Sequence, residues 1–326
     1  MRRAARQSAL AAAAAIALLA AARPAAAHDF NPGVLTLVEL EDGRFRMAWT
    51  PPVDSTGSPA GVEVVLPEPC RRAGDLVDCG EAGLAGTISF ARVHTRRMKV
   101  VVLVRWLGGE ESEAIVSGAD PRLRIDRRAA GPRAVGAWIA LGVEHILLGL
   151  DHLAFVIGLL LLLGPRPSRR LLATITAFTV AHSITLALAA LDLVRLPSAP
   201  VEAAIAASVV LVAREALGRR PTATRRWPWL VAGLFGLVHG LGFAGALAEI
   251  GLPRESIGVS LVGFNLGVEL GQLAVVAAVV LLVGLAGALA RRTGAGGGER
   301  ARLAARAAAY ALGSIGAAWF LARVLA

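Results

Sequence analysis

The apolar run from residue 134 to 164 contains Gly142 to Phe155, G-V-E-H-I-L-L-G-L-D-H-L-A-F, and this stretch restricts the fold more than any other. The run exceeds the ~20 apolar residues that cross a bilayer, yet it carries Glu144, His145, Asp151 and His152. An ionisable side chain at bilayer depth costs roughly 2.5–3.5 kcal/mol on insertion scales, so these groups must face other protein and not lipid. Other helices are therefore required around this one. Seven residues make about two helical turns, which puts His145 and His152 on one stripe and Glu144 and Asp151 on the stripe beside it. On an ideal helix the two histidines stand about 10 Å apart, too far to share one ion. They serve as successive stations, or the helix unwinds at Gly149, the plausible kink point between them.

The surrounding chain supplies those helices. Six apolar runs follow one another, at 134–164, 171–191, 201–217, 229–250, 256–289 and 301–325. The first and fifth exceed what a bilayer needs and must tilt, kink or extend beyond it. Hydrophobic residues make up 56% of the chain, enough for a six-helix membrane part with some soluble mass. The formal charge of +10 is almost all arginine, since Lys99 is the one lysine. The arginines flank apolar runs and do not form a tract interleaved with aromatics, so they argue for topology and against nucleic acid. Arg166, Arg169, Arg170, then Arg214, Arg219, Arg220, Arg225, Arg226, then Arg291, Arg292, Arg300 fall in alternate connections. The rule that positive loops stay inside places these connections in the cytoplasm and both ends of the mature chain outside it.

Ahead of the membrane part, residues 1–27 have a basic start, an apolar segment and Ala25-Ala26-Ala27, the pattern of a secretory signal peptide. Residues 28–125 show strand-like alternation, as in Val34 to Val38, Arg44 to Trp49, Val62 to Leu66 and Met98 to Trp106. Turn signals such as Glu41-Asp42-Gly43 separate these segments, which predicts a small antiparallel, all-β, sandwich-like exported domain. Cys70 and Cys79 would form a disulfide there if the domain is exported, and free thiols otherwise. Residues 126–133 read as a basic linker to a transmembrane domain spanning 134–326. Cleavage after Ala27 would leave His28 at the N-terminus, where its amine and ring, with His94, would suit copper or nickel capture. The plainer reading is an incidental residue after the cleavage site.

Polar groups recur in the later spans. The second run carries Thr179, His182 and Ser183, the fourth His239, and the fifth Asn265, Glu269 and Gln272 on one face. Four of the six histidines thus lie within apolar runs. Gly236-x-x-x-Gly240 and Gly263-x-x-x-Gly267-x-x-x-Gly271 are small-residue faces that let helices approach closely. The short turn at 251–254 predicts that the fourth and fifth helices are neighbours, with His239 near the level of Glu269 or Asn265. Imidazoles and carboxylates without thiols suit a borderline divalent ion such as nickel, cobalt, zinc or copper(II). Singly, His182 or His239 reads equally well as an interhelical hydrogen bonder, and Glu202 as a favourable charge at a helix start. Ser183 lacks the glycine pattern of a nucleophile elbow, so no hydrolytic enzyme is expected.

Four ordered motifs resemble the HupE/UreJ family of hydrogenase and urease accessory membrane proteins. They are H-x5-D-H (His145, Asp151, His152), F-T-x-A-H-S-x-T (Phe178 to Thr185), H-G-x-G-F-A (His239 to Ala244) and F-N-x-G-V-E-x-G-Q (Phe264 to Gln272). The resemblance covers 134 to about 290. It implies nickel or cobalt permeation in support of metalloenzyme assembly, with His145, Asp151 and His152 acting in metal recognition. The exported domain departs from the compact members and resembles a longer subgroup.

The combined expectation is a permease of the bacterial inner membrane for a divalent metal, nickel first, with no tightly bound cofactor. His145, Asp151, His152, His182, His239 and Glu269 would hold the ion, with Glu144, Thr179, Ser183, Asn265 and Gln272 supporting its path. Its partners would be the ion, the bilayer and metalloenzyme assembly factors. One alternative is a non-covalent haem protein for electron transfer, with His182 and His239 as axial ligands. Another is a membrane-anchored metal-sensing or assembly partner whose β domain does the binding.

Overall fold

The computed structural model describes residues 32–52, 59–93, 95, 98–125, 134–218, 220, 222–242, 254–292 and 297–325. The expected signal peptide, the linker, His28 and His94 lie outside the described residues.

The N-terminal part is β-rich. β1 (Gly33–Glu39) and β2 (Arg44–Thr50) pair antiparallel across the Glu41-Asp42-Gly43 turn, in which Asp42 and Gly43 have φ of 61° and 69°. A side chain at Gly43 would also meet the Gly80 carbonyl oxygen at 2.0 Å, so only glycine fits. β3 (Glu63–Val65), β4 (Arg71–Ala73), β5 (Leu76–Asp78), β6 (Gly86–Ala91), β7 (Lys99–Arg105), β8 (Glu111–Ser117) and β9 (Arg122–Ile125) follow. They form a six-stranded sheet ordered β4-β5-β2-β1-β7-β8 and a three-stranded sheet ordered β3-β6-β9. Cys70 and Cys79 are joined by a disulfide.

The expected all-antiparallel pattern fails at one place: β1 and β7 run parallel. The reason lies in the sequence of β7. Its run Val100 to Val104 is buried at every position, the mark of a strand covered on both faces and not of a half-solvated one. Val100, Val102 and Val104 join Leu35, Leu37, Phe45, Ile88 and Phe90 in a core shared by the two sheets. Val101 and Leu103, pointing the other way, join Val34 and the helical residues Trp138 and Leu141.

The helices are α1 (Ala134–Leu148), α2 (Leu150–Leu163), α3 (Arg169–Ala190), α4 (Ser198–Leu217), the single turn α5 (Ala223–Arg226), α6 (Pro228–Gly242), α7 (Arg254–Arg292) and α8 (Gly297–Val324). Among the described residues three are long and apolar enough to cross a membrane, namely α3 and parts of α7 and α8. The α1–α2 pair adds a fourth span if counted as one, and α6 is apolar but shorter. α7, with 39 residues, is about 58 Å long, well beyond the ~30 Å hydrocarbon core.

Glycines set the helix pairing. A Cβ at Gly267 would fall 2.1 Å from the Ile139 carbonyl oxygen, and one at Gly236 would fall 2.3 Å from that of Phe178. The small-residue faces thus bring α7 onto α1 and α6 onto α3 at backbone contact. α6 packs chiefly on α3 and α4, and α7 on α1 and α3. Among the described residues α3 packs on both α6 and α7 in place of the expected α6–α7 pairing, and residues 243–253, which hold the turn, lie outside them. Glu202, expected as a helix-start charge, is paired with Arg323, tying α4 to α8.

The sheet is fastened to α1 by polar contacts as well as by Trp138. The Trp138 indole donates to Glu113 at 2.7 Å, and Lys99 meets Glu144 at 2.8 Å. Burial pushes the Glu113 carboxyl above the ordinary carboxylate range, against the opposing effect of its Trp138 and Ser260 donors. Glu144 is thereby engaged by Lys99 of β7. Lys99→Met and Glu144→Gln are each expected to cost about 1 kcal/mol by thermal unfolding in detergent, because the pair is only partly exposed. The double variant is expected to cost little more than either single one, the signature of a coupled pair.

Candidate metal centre

The helix carrying the H-x5-D-H motif does break. α1 ends at Leu148, Gly149 adopts extended backbone (φ −72°, ψ 97°), and α2 leaves at 71° to α1. Glycine is needed because a Cβ there would lie 2.7 Å from the His145 carbonyl oxygen and 2.9 Å from His152 Nδ1. The break places His145 in the last turn of α1 and Asp151 in the first turn of α2. The Asp151 carboxylate at the start of α2 suits the helix dipole. The separation of about 10 Å on a straight helix collapses to 4.7 Å between ring centroids. Of the two arrangements open from sequence, the broken helix is the one observed.

Two further helices close the cluster. α3 supplies His182, with its ring 5.9 Å from that of His152 and 6.2 Å from that of His145. α6 supplies His239, 5.1 Å from His152. All five polar residues are buried, none more than 7% exposed. Asp151, His152 and His239 can each present a ligand atom such that all three atoms lie within 4.8 Å of one another. Phe155, Phe178 and Phe264 wall the site, Phe178 lying flat against His182 and edge-on to His239.

Hydrogen bonds orient the rings. Asp151 Oδ1 accepts from the His152 backbone N–H at 2.8 Å and lies 3.0 Å from His152 Nδ1. His152 Nε2 and both ring nitrogens of His182 are sealed from solvent without a hydrogen-bond partner. Buried nitrogens left in this state are expensive in a folded protein and fit a site that receives something. Ser208 of α4 stands 3.1 Å from His239 Nε2. Sequence reading missed Ser208, since one serine in an apolar run carries no spacing signal.

Of the remaining predicted residues, Thr179, Glu269 and Gln272 lie in a polar seam between α3 and α7, together with Thr176. Thr176 donates to Glu269 at 2.7 Å and Thr179 to Gln272 at 2.9 Å. Ser183 donates to the Thr179 carbonyl and Asn265 to that of Leu261. Glu269 does not join the group made by Asp151, His152 and His239.

Fold and site define a helical membrane protein with an N-terminal β part and a buried cluster of four imidazoles and a carboxylate. The model of the HupE / UreJ protein family matches residues 122–323, and the chain belongs to that family. It is a family of transport and accessory proteins, not of enzymes. No curated protein and no solved structure matches the chain.

Proposed function

We propose that the protein is a permease for a divalent transition metal, nickel first, with cobalt, copper and zinc as the competing cargoes. The observation that supports this best is the convergence of His145, Asp151, His152, His182 and His239, from four helices, in one buried place. An all-nitrogen-and-oxygen donor set without thiolate suits borderline divalent ions. Asp151 attracts the cation and the imidazoles replace its water. The seam at Thr176, Thr179, Asn265, Glu269 and Gln272 is the onward route we assign, because Glu269 Oε2 and Asn265 Oδ1 are buried acceptors without a hydrogen-bond partner.

In this reading all six apolar runs lie in the bacterial inner membrane, with the β domain and the C-terminus outside the cytoplasm. The three most extensive helix pairs support the alternation. Successive glycine contacts advance together along α1 and α7, and along α3 and α6, whereas those between α4 and α8 run in opposite senses. First and fifth spans, and second and fourth, should be codirectional, and third and sixth opposed. The haem alternative has less support, since Phe178 lies against both His182 and His239 where a macrocycle would need room.

The test is Ni2+ uptake into proteoliposomes that hold the full chain, against empty liposomes. Uptake is expected to be saturable and to exceed that of the empty liposomes. Uptake no faster than leakage contradicts the proposal.

A further inference from the structure

Ser208 is wholly buried on α4 and sits between two partners. Its hydroxyl lies 2.6 Å from the Ile205 carbonyl oxygen, on its own helix, and 3.1 Å from His239 Nε2 on α6. A carbonyl oxygen can only accept, so the single hydroxyl proton of Ser208 is committed to Ile205. Toward His239 the hydroxyl has only its lone pairs to offer. His239 must therefore donate from Nε2, and a neutral imidazole that is protonated at one nitrogen has its lone pair on the other.

We infer that Ser208 is a positioning residue that fixes His239 in the Nε2–H tautomer and so makes Nδ1 its metal-ligating atom. Asp151 does the complementary service for His152. Its Oδ1 lies 3.0 Å from Nδ1 and a carboxylate only accepts, which leaves the buried Nε2 of His152 as the ligating atom. The two imidazoles thus present opposite nitrogens to one ion, His152 through Nε2 and His239 through Nδ1. The tautomers are set before any metal arrives, because each ring proton already has an acceptor, Ser208 for His239 and Asp151 Oδ1 for His152. Neither Ser208 nor its spacing to His239 belongs to any of the four sequence motifs; the contact exists because α4 packs on α6.

The inference rests on the permease reading for the metal but not for the tautomer, and one experiment separates the two. The metal-free full chain, labelled with 15N-histidine, reports the tautomer of each imidazole by its ring nitrogen shifts. Wild type is expected to show His239 protonated at Nε2, Ser208→Ala to lose that preference, and Ser208→Thr, which keeps the hydroxyl, to retain it. Titration of the same proteins with Ni2+ is expected to weaken about 10–100-fold in Ser208→Ala alone, the usual loss when an outer partner of a ligand is removed. His239 protonated at Nδ1 in wild type overturns the inference, and so does a Ser208→Ala protein with unchanged tautomer and affinity. A wild type protonated at Nε2 that binds no Ni2+ supports the tautomer assignment and removes the permease reading instead.

Discussion

His152→Ala is expected to abolish saturable Ni2+ binding, lowering affinity by more than about 100-fold, beyond what loss of an outer-shell partner costs. The size follows from position. His152 is the ring closest to the others, 4.7 Å from His145, 5.1 Å from His239 and 5.9 Å from His182. It also holds the Asp151 carboxylate through its ring and its backbone N–H. Alanine removes a ligand and releases the Asp151 orientation together. The ring is 3% exposed, so no solvent group can stand in for it. Isothermal titration of the detergent-solubilised chain checks this, with thermal unfolding of the same sample confirming that it is folded. Retained affinity in a folded His152→Ala protein would remove this residue from the ligand set.

Gly240→Val is expected to destabilise the protein by about 3 kcal/mol, at the upper end of overpacking penalties. A Cβ at Gly240 would lie 2.1 Å from Thr185 Oγ1 and 2.4 Å from the His182 carbonyl oxygen. The hydroxyl can turn away, but the backbone oxygen cannot move without displacing α3. Since His182 and His239 sit on the two helices at this crossing, metal binding should fail with stability. Gly284→Val, where a Cβ meets nothing within 4 Å, is the control and should change stability by less than about 0.5 kcal/mol. Thermal unfolding of both variants, read beside Ni2+ titration, distinguishes a packing effect from a general intolerance of β-branched residues.

What could be read in the sequence, and what could not, divides along the range of the interactions. The spacing of His145 and Asp151-His152 about Gly149 marked both the buried cluster and its hinge, because a glycine between two ionisable groups in an apolar run is a local signal. The glycine repeats at 236–240 and 263–271 were also legible as contact faces, since small residues at fourfold spacing occupy one side of a helix. Their partners were not. A hairpin between α6 and α7 was the natural reading of a short turn, but α3 and α4 offered α6 a closer fit, and no periodicity within α6 encodes that choice.

The same limit explains the β domain. Alternation identified β2, where Phe45 and Met47 are buried between exposed neighbours. The parallel β1–β7 pair escaped, because Met98 to Trp106 reads as a strand but nothing local names the strand it pairs with, or α1 as the cover of its second face. Glu144 likewise sits on the motif, and its partner Lys99 comes from β7, a contact that no local pattern encodes. Ser208 and the Glu202–Arg323 pair belong to this class of contact, set wholly by tertiary packing.

The most direct measurement is X-ray absorption fine structure at the metal edge of the Ni2+-loaded, detergent-solubilised chain. A first shell of nitrogen and oxygen is expected, with the multiple scattering of at least two imidazoles, no sulfur, and a fall in imidazole scattering in His152→Ala. A spectrum matching the hydrated ion, with no imidazole contribution, would contradict the shared site around which this account is built.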